Sequence, residues 1–301
     1  MSDNHPKGVF AAALTPLNSN FSPDRTSLPE YLSFLARRGC HGALLLGTTG
    51  EGPSFSPEQR LEIYRAAIEV RQSHPDFLLF AGTGTPSLEE TVLLTRKAFD
   101  LGLDGVVVLP PYYFRKASEA GLFTWFSEVL RQAVPKGGNL FGYHIPWVSG
   151  VPLSLDLISR LKDTYPERFV GLKDSSGDPE FARQLGAEFN GDLRIFTGTD
   201  QLFSLALQSG ASGCITAPAN LISPDLRRIW DSHQEGKPEE EVQVHVNRIR
   251  TTLEKFPPYP PLLKALLARY HGFPRWPVCP PLISLSEETE ARVVAELDLP
   301  G

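Results

Sequence analysis

Residues 139–174 read NLFGYHIPWVSGVPLSLDLISRLKDTYPERFVGLKD. Two short apolar runs, Asn139–Tyr143 and Phe169–Lys173, flank an amphipathic stretch, Ser154–Tyr165. Each run is too short for a helix of about 10–12 residues and is bounded by Gly, Pro or Asp, so the segment predicts strand, helix, strand. Working outward, the pattern recurs. Further runs stand at Gly8–Leu14, Gly42–Leu46, Phe77–Ala81, Gly105–Leu109, Leu193–Thr197 and Gly213–Thr216. Helical stretches separate or follow them at Ser27–Arg38, Pro57–Ser73, Leu88–Leu101, Glu119–Ala133, Pro179–Phe189, Gln201–Gln208 and Pro224–Gln234. Several open with Ser-Pro or Asp-Pro, an N-cap followed by proline at the first helical position. Strands apolar throughout, alternating with helices, mean a parallel sheet covered by helices. Eight such units, with no G-x-G-x-x-G in the first turn, predict an α/β fold, a closed (β/α)8 TIM barrel. From Glu239 the rhythm stops, and 239–255, 262–271 and 286–297 read as helices joined by PPYPP at 257–261 and a second proline cluster at 274–281. The expected organisation is a barrel over residues 1–235 and a C-terminal three-helix extension over 236–301 packed against it.

The 301 residues carry 29 Lys+Arg against 35 Asp+Glu, a net charge of −6. That leaves no basic footprint for phosphate-backbone contacts, so no nucleic-acid partner is expected. With 41% hydrophobic and 21% charged residues, a packed core is expected and neither disorder nor a fibrous repeat. Cys40, Cys214 and Cys279 are widely spaced and form no C-x-x-C, which fits reduced thiols in a cytoplasmic chain. The first residues lack an apolar signal core and no stretch approaches 18 consecutive apolar residues. The expectation is a soluble intracellular protein with no membrane association.

In such a barrel the site lies at the carboxyl ends of the strands and in the loops that follow. The residues there are Thr15, Gly47–Glu51, Gly82–Gly84, Pro110–Tyr113, Tyr143, Lys173–Ser175, Gly198–Asp200 and Thr216. Lys173 is the outlier. Strand alternation sets Phe169, Gly171 and Lys173 on one face and Val170 and Leu172 on the other. If the first face points inward, the amine lies at the mouth of an apolar cavity. Desolvation favours a neutral amine, which makes Lys173 a candidate Schiff-base nucleophile; the alternative is a strand-end lysine paired with Asp174 in solvent. Tyr143 ends the preceding strand, shares a face with Phe141 and reaches the same rim, where a phenol can relay protons. Its alternative is a buried tyrosine bonded to a carbonyl. In Gly47-Thr48-Thr49-Gly50-Glu51 the glycines permit a sharp turn whose amides and hydroxyls converge on a small anion, or that merely caps a loop. The turns at Thr83–Thr85 and Gly198–Asp200 admit the plainer reading too.

The seven histidines contain no H-x-H and no H-E-x-x-H, and the chain has neither a phosphate loop nor a G-x-S-x-G elbow, so no metal or other cofactor is expected. His144 faces outward by alternation and reads as structural.

Five motifs, GTTGEG (47–52), PPYY (110–113), YHIP (143–146), GLKDSSGD (171–178) and GTD (198–200), carry a resemblance. On them, from Gly8 to about Pro224, the chain resembles the dihydrodipicolinate synthase/N-acetylneuraminate lyase family of pyruvate-dependent class I aldolases. The resemblance implies that Lys173 forms an imine with pyruvate or another 2-keto acid, with no cofactor beyond that covalent link. Tyr143 would be the acid/base, and Thr48 and Thr49 would hold the carboxylate. Gly47, Gly198, Asp200, Gln201 and Ile215 would complete substrate binding. Tyr113 would enter a neighbouring subunit's site and join a proton relay with Thr48 and Tyr143, which implies a homo-oligomer, a dimer or tetramer. The implied partners are a small 2-keto acid and an aldehyde.

Departures bear on the substrate. Dihydrodipicolinate synthases resembling this chain carry an arginine five residues after the tyrosine, where this sequence has Val148; valine offers no bidentate clamp for a distal carboxylate. IPWVSGV at 145–151 looks more like sialic acid lyases, yet their acidic and serine positions for the sugar polyol are here Gln201 and Ala217. GTTGEGPSFSPEQ (47–59) and GFPRWPVCPPL (272–282) are similar to the 2-keto-3-deoxygluconate aldolase branch, which implies a 2-keto-3-deoxy sugar acid. Dihydrodipicolinate synthesis, dehydration of a keto-deoxy sugar acid, and keto-acid binding without turnover are the alternatives.

Overall fold

Eight parallel strands pair in chain order and close into a barrel: β1 (Gly8–Ala12), β2 (Gly42–Leu45), β3 (Leu78–Gly82), β4 (Gly105–Val108), β5 (Asn139–His144), β6 (Phe169–Asp174), β7 (Arg194–Thr197) and β8 (Gly213–Thr216). The computed structural model describes residues 6–297. The helices are α1 (Ser27–Arg37), α2 (Pro57–Ile68), α3 (Leu88–Asp100), α4 (Glu119–Ala133), α5 (Pro146–Ser149), α6 (Leu155–Thr164), α7 (Pro179–Phe189), α8 (Phe203–Gln208), α9 (Ala219–Gln234), α10 (Glu240–Glu254), α11 (Tyr259–His271) and α12 (Glu287–Glu296). The architecture is the expected TIM barrel with C-terminal helices. At α2 the Ser56 hydroxyl accepts the Gln59 N–H, the Gln59 side chain accepts the Ser56 N–H, and Pro57 fills the first position, so local sequence alone starts this helix.

The barrel interior is built in layers. Phe10, Phe80, Phe141 and Phe196, one from each odd strand, meet ring to ring with centroids between 4.9 and 6.3 Å apart. Each stands in register beside a glycine of the following even strand: Gly42, Gly105, Gly171 and Gly213. A Cβ on Gly42 would lie 2.4 Å from the Phe10 ring, and one on Gly171 2.7 Å from that of Phe141. Glycine at those two positions therefore leaves room for the Phe10 and Phe141 rings in the layer. The next layer comes from the even strands and holds Leu44, Val107, Lys173 and Ile215, each flanked in register by one of those phenylalanines. This alternation of odd and even strands is the packing rule of such barrels. Lys173 takes a place that the other three even strands fill with aliphatics.

The structure corrects several expectations. Phe169 does not share a face with Gly171 and Lys173. The β5–β6 register shifts between Leu140–Phe169 and Phe141–Gly171, leaving Val170 as the extra residue. One inserted residue reverses the faces upstream of it, so Phe169 joins the outer core with Leu172 while Val170 packs inward. The helix expected to start at Pro224 starts at Ala219 and kinks, with Ile222 non-helical two residues before the proline, as a ring without an N–H requires. The stretch expected as one helix to Ser73 ends at Ile68 and continues as a 3₁₀ turn, Glu69–Gln72. Helix α8 is likewise preceded by a 3₁₀ turn, Asp200–Leu202. The single turn α5 was not expected.

Helices α10 and α11 pack on α9, and α12 packs on both. Aromatic edges seal the tail to the barrel: Tyr31 meets Phe273 and Trp276, and Phe34 meets Phe273, with centroids 5.8, 5.6 and 5.0 Å apart. Among the described residues no helix is long and apolar enough to cross a membrane, and Cys40, Cys214 and Cys279 are free and buried.

Candidate active site

Strands β5 and β6 set Tyr143 directly beside Lys173. The Lys173 Nζ donates to the Tyr143 hydroxyl at 3.1 Å and lies 4.2 Å from the centre of its ring. Both side chains are buried, at 3% and 4% exposure. Among the described residues the amine has no carboxylate partner. Asp174 faces the opposite way, where its Oδ1 accepts the Ser176 N–H at 3.0 Å and its neighbours are Ala182, Leu185 and Ile195. Solvent pairing of Lys173 with Asp174 is thereby excluded. Burial pushes the Tyr143 phenol up, but Lys173 and hydrogen bonds from Thr48, Lys173 and Ser175 pull harder, and the net is a phenol held below its ordinary value. A phenol and an amine so coupled can exchange one proton within the pair without creating net charge in the apolar interior.

Above the pair opens a cavity of about 350 Å³. The expected residues Thr48, Thr49, Tyr143, Lys173, Gly198, Gln201 and Ile215 line it, with Ala12, Ile145, Ser175 and Ala217. Gly198 is required there, because a Cβ would overlap the Ser175 hydroxyl at 1.8 Å. Gly47 and Asp200 do not line it, and Tyr113, expected to enter a neighbouring subunit's site, is not part of this wall. Gly47 lies inside its turn, its carbonyl accepting the Gly52 N–H at 3.1 Å. Asp200 is fully buried behind the wall, its Oδ1 accepting Arg250 at 2.6 Å. Tyr113 is 76% exposed after β4, edge-on to Phe114. His144, outside the barrel, accepts the Leu153 N–H at 3.0 Å and stacks on Phe181; burial pulls its imidazole down to about 4, so it is neutral at pH 7.

The turn that carries Thr48 and Thr49 is held from below. Leu46 and Glu51 both adopt left-handed conformations, at φ 56° and 57°, which non-glycine residues take only when the surroundings compel them. Glu51 is pinned at both oxygens: Oε1 accepts Lys264 Nζ from α11 at 2.5 Å, and Oε2 accepts the Cys279 N–H at 2.7 Å. The lysine and carboxylate are 1% and 0% exposed. The tail thus fixes the turn whose hydroxyls face the cavity.

Sequence reasoning missed part of the wall. Trp147 lines the cavity from α5, its indole N–H donating to the Ser175 carbonyl at 2.8 Å. Arg250 and Glu254 from α10 and Tyr259 from α11 line the other side. The i,i+4 spacing of Arg250 and Glu254 marks one helix face, but nothing local says that this face meets a barrel mouth.

The dihydrodipicolinate synthetase family matches residues 5–299. The chain is 39% identical, over 96% of its length and 95% of the relative, to an uncharacterised DapA-like lyase of Chloroflexus aurantiacus. It is 31% identical, over 95% and 92%, to a 4-hydroxy-tetrahydrodipicolinate synthase of Prochlorococcus marinus. Its fold is similar to the crystal structure of dihydrodipicolinate synthase DapA-2 from Bacillus anthracis, with a TM-score of 0.89 and 25% identity over 98% of this chain and 99% of that one.

Proposed function

The chain belongs to the dihydrodipicolinate synthetase family of lyases, and on that premise we propose that it is a class I aldolase that cleaves a 2-keto-3-deoxy sugar acid to pyruvate and an aldehyde through an imine on Lys173. The observation that carries this is the Lys173–Tyr143 pair, 3.1 Å apart, buried, and free of any carboxylate among the described residues. The neutral amine attacks the C2 keto carbon, Tyr143 delivers the proton that lets the oxygen leave as water, and an iminium remains. Tyr143 then takes the proton of the C4 hydroxyl. The C3–C4 bond breaks with its electron pair flowing into the iminium, which gives an enamine and the aldehyde. Protonation at C3 and hydrolysis release pyruvate and regenerate the amine. Thr48 and Thr49 hold the keto acid's carboxylate, and Tyr113 of one subunit reaches the site of another. Val148 in place of a carboxylate-binding arginine disfavours dihydrodipicolinate synthesis.

Borohydride reduction in the presence of pyruvate, followed by peptide mass mapping, tests this. A stable adduct on Lys173 that vanishes in Lys173→Ala is expected. An adduct on another residue, or none, overturns it.

A further inference from the structure

We propose that the aldehyde half of the cavity takes an uncharged hydroxyaldehyde and rejects one bearing a distal phosphate or carboxylate. This deepens the reading of Lys173 as the imine former and rests on it. The outer wall contains one cation, Arg250, 11% exposed. Its Nη1 donates to Asp200 Oδ1 at 2.6 Å and its Nε to Glu254 Oε1 at 2.7 Å, while the Tyr259 ring stands 5.2 Å from the guanidinium carbon. Two carboxylates already face this one positive charge and hold two of its five N–H donors, so a third anion gains little net attraction from it. Glu254, 46% exposed, also lines the cavity, and an incoming anion meets its charge. Opposite stands Trp147, 68% exposed. Of the large exposed apolar side chains among the described residues, which include Phe21, Tyr113, Phe114 and Ile283, it is the one that lines the cavity. With its N–H satisfied by Ser175, the indole offers a flat apolar face, suited to the C–H edge of a polyol chain. Neutral Ser176, Thr199 and Gln201 supply hydrogen-bonding groups around it. Apolar face, neutral polar groups and a neutralised arginine together describe a subsite for hydroxyls.

The test compares kcat/KM for condensation of pyruvate with D-glyceraldehyde and with D-glyceraldehyde 3-phosphate. The unphosphorylated aldehyde is expected to win by roughly tenfold or more, and Glu254→Gln to narrow that ratio by removing the negative charge that faces the incoming anion. Trp147→Ala, at an exposed position, is expected to raise KM for glyceraldehyde severalfold with a smaller change in kcat. Equal or better use of the phosphate ester, a ratio that Glu254→Gln leaves unchanged, or an unchanged glyceraldehyde KM in Trp147→Ala overturns the proposal if pyruvate is still trapped on Lys173. Failure of trapping itself overturns the imine reading instead.

Discussion

Two lysines are buried among the described residues, and they differ in the partners they are given. Lys264 on α11 is 1% exposed and donates to the Glu51 carboxylate at 2.5 Å and the Pro277 carbonyl at 2.7 Å. Lys173 on β6 is 3% exposed and donates to a phenol. Burial of an ammonium is costly unless a counter-charge meets it. Lys264 has that counter-charge and is a strut. Lys173 meets a phenol instead of a carboxylate, and opens onto a cavity. On the function proposed above, the nucleophile is thus distinguished from the strut by the acid it is given, with burial the same in both.

The contrast can be broken from either side. Tyr143→Phe removes the phenol and leaves the amine in place. Turnover is expected to fall by roughly 10²–10⁴-fold, as for a lost general acid/base, while the variant still captures pyruvate; steady-state rates and borohydride trapping read the two separately, and unchanged turnover would remove Tyr143 from the mechanism. Lys264→Met strands the buried Glu51 carboxylate. Unfolding in urea should show a loss of about 3–5 kcal/mol, with KM for pyruvate raised because Thr48 and Thr49 lie on the turn Glu51 holds. A loss below about 1 kcal/mol would mean that the pair holds little.

The smallest effect concerns the carboxylate next to Lys173 that does not pair with it. Burial pushes Asp174 up to about 6 from 3.8. Between those values the unfolded chain has shed the proton that the folded one keeps, so stability falls as pH rises from about 4 to about 6. Asp174→Asn cannot ionise. It should unfold at higher urea than the parent at pH 7, by about 3 kcal/mol at most, and show no gain at pH 4. A gain at pH 4 equal to that at pH 7 would place the effect elsewhere.

The fold was legible because eight apolar runs and their caps are local signals, and Lys173 was legible because it interrupts an apolar run at a strand's end. Alternation alone groups it with Phe169, which points outward, and leaves its inward direction a condition; the bulge at Val170 lies in the pairing of two strands and leaves no mark on either alone. Arg250 and Glu254 were hidden for a related reason. They lie some fifty residues beyond the last motif they face, and only packing of α10 beside the turn at Asp200 brings them to the cavity. The Gly47 and Asp200 expectations took motif membership for exposure to the cavity, whereas in each motif some residues shape the backbone or brace it.

A crystal soaked in pyruvate and frozen after borohydride reduction puts the two lysines in one experiment. Continuous density from Lys173 Nζ to the C2 carbon of the keto acid, with Lys264 still seated on Glu51, is the outcome expected. An unmodified Lys173 at full pyruvate occupancy, or a covalent adduct on Lys264, would contradict the account.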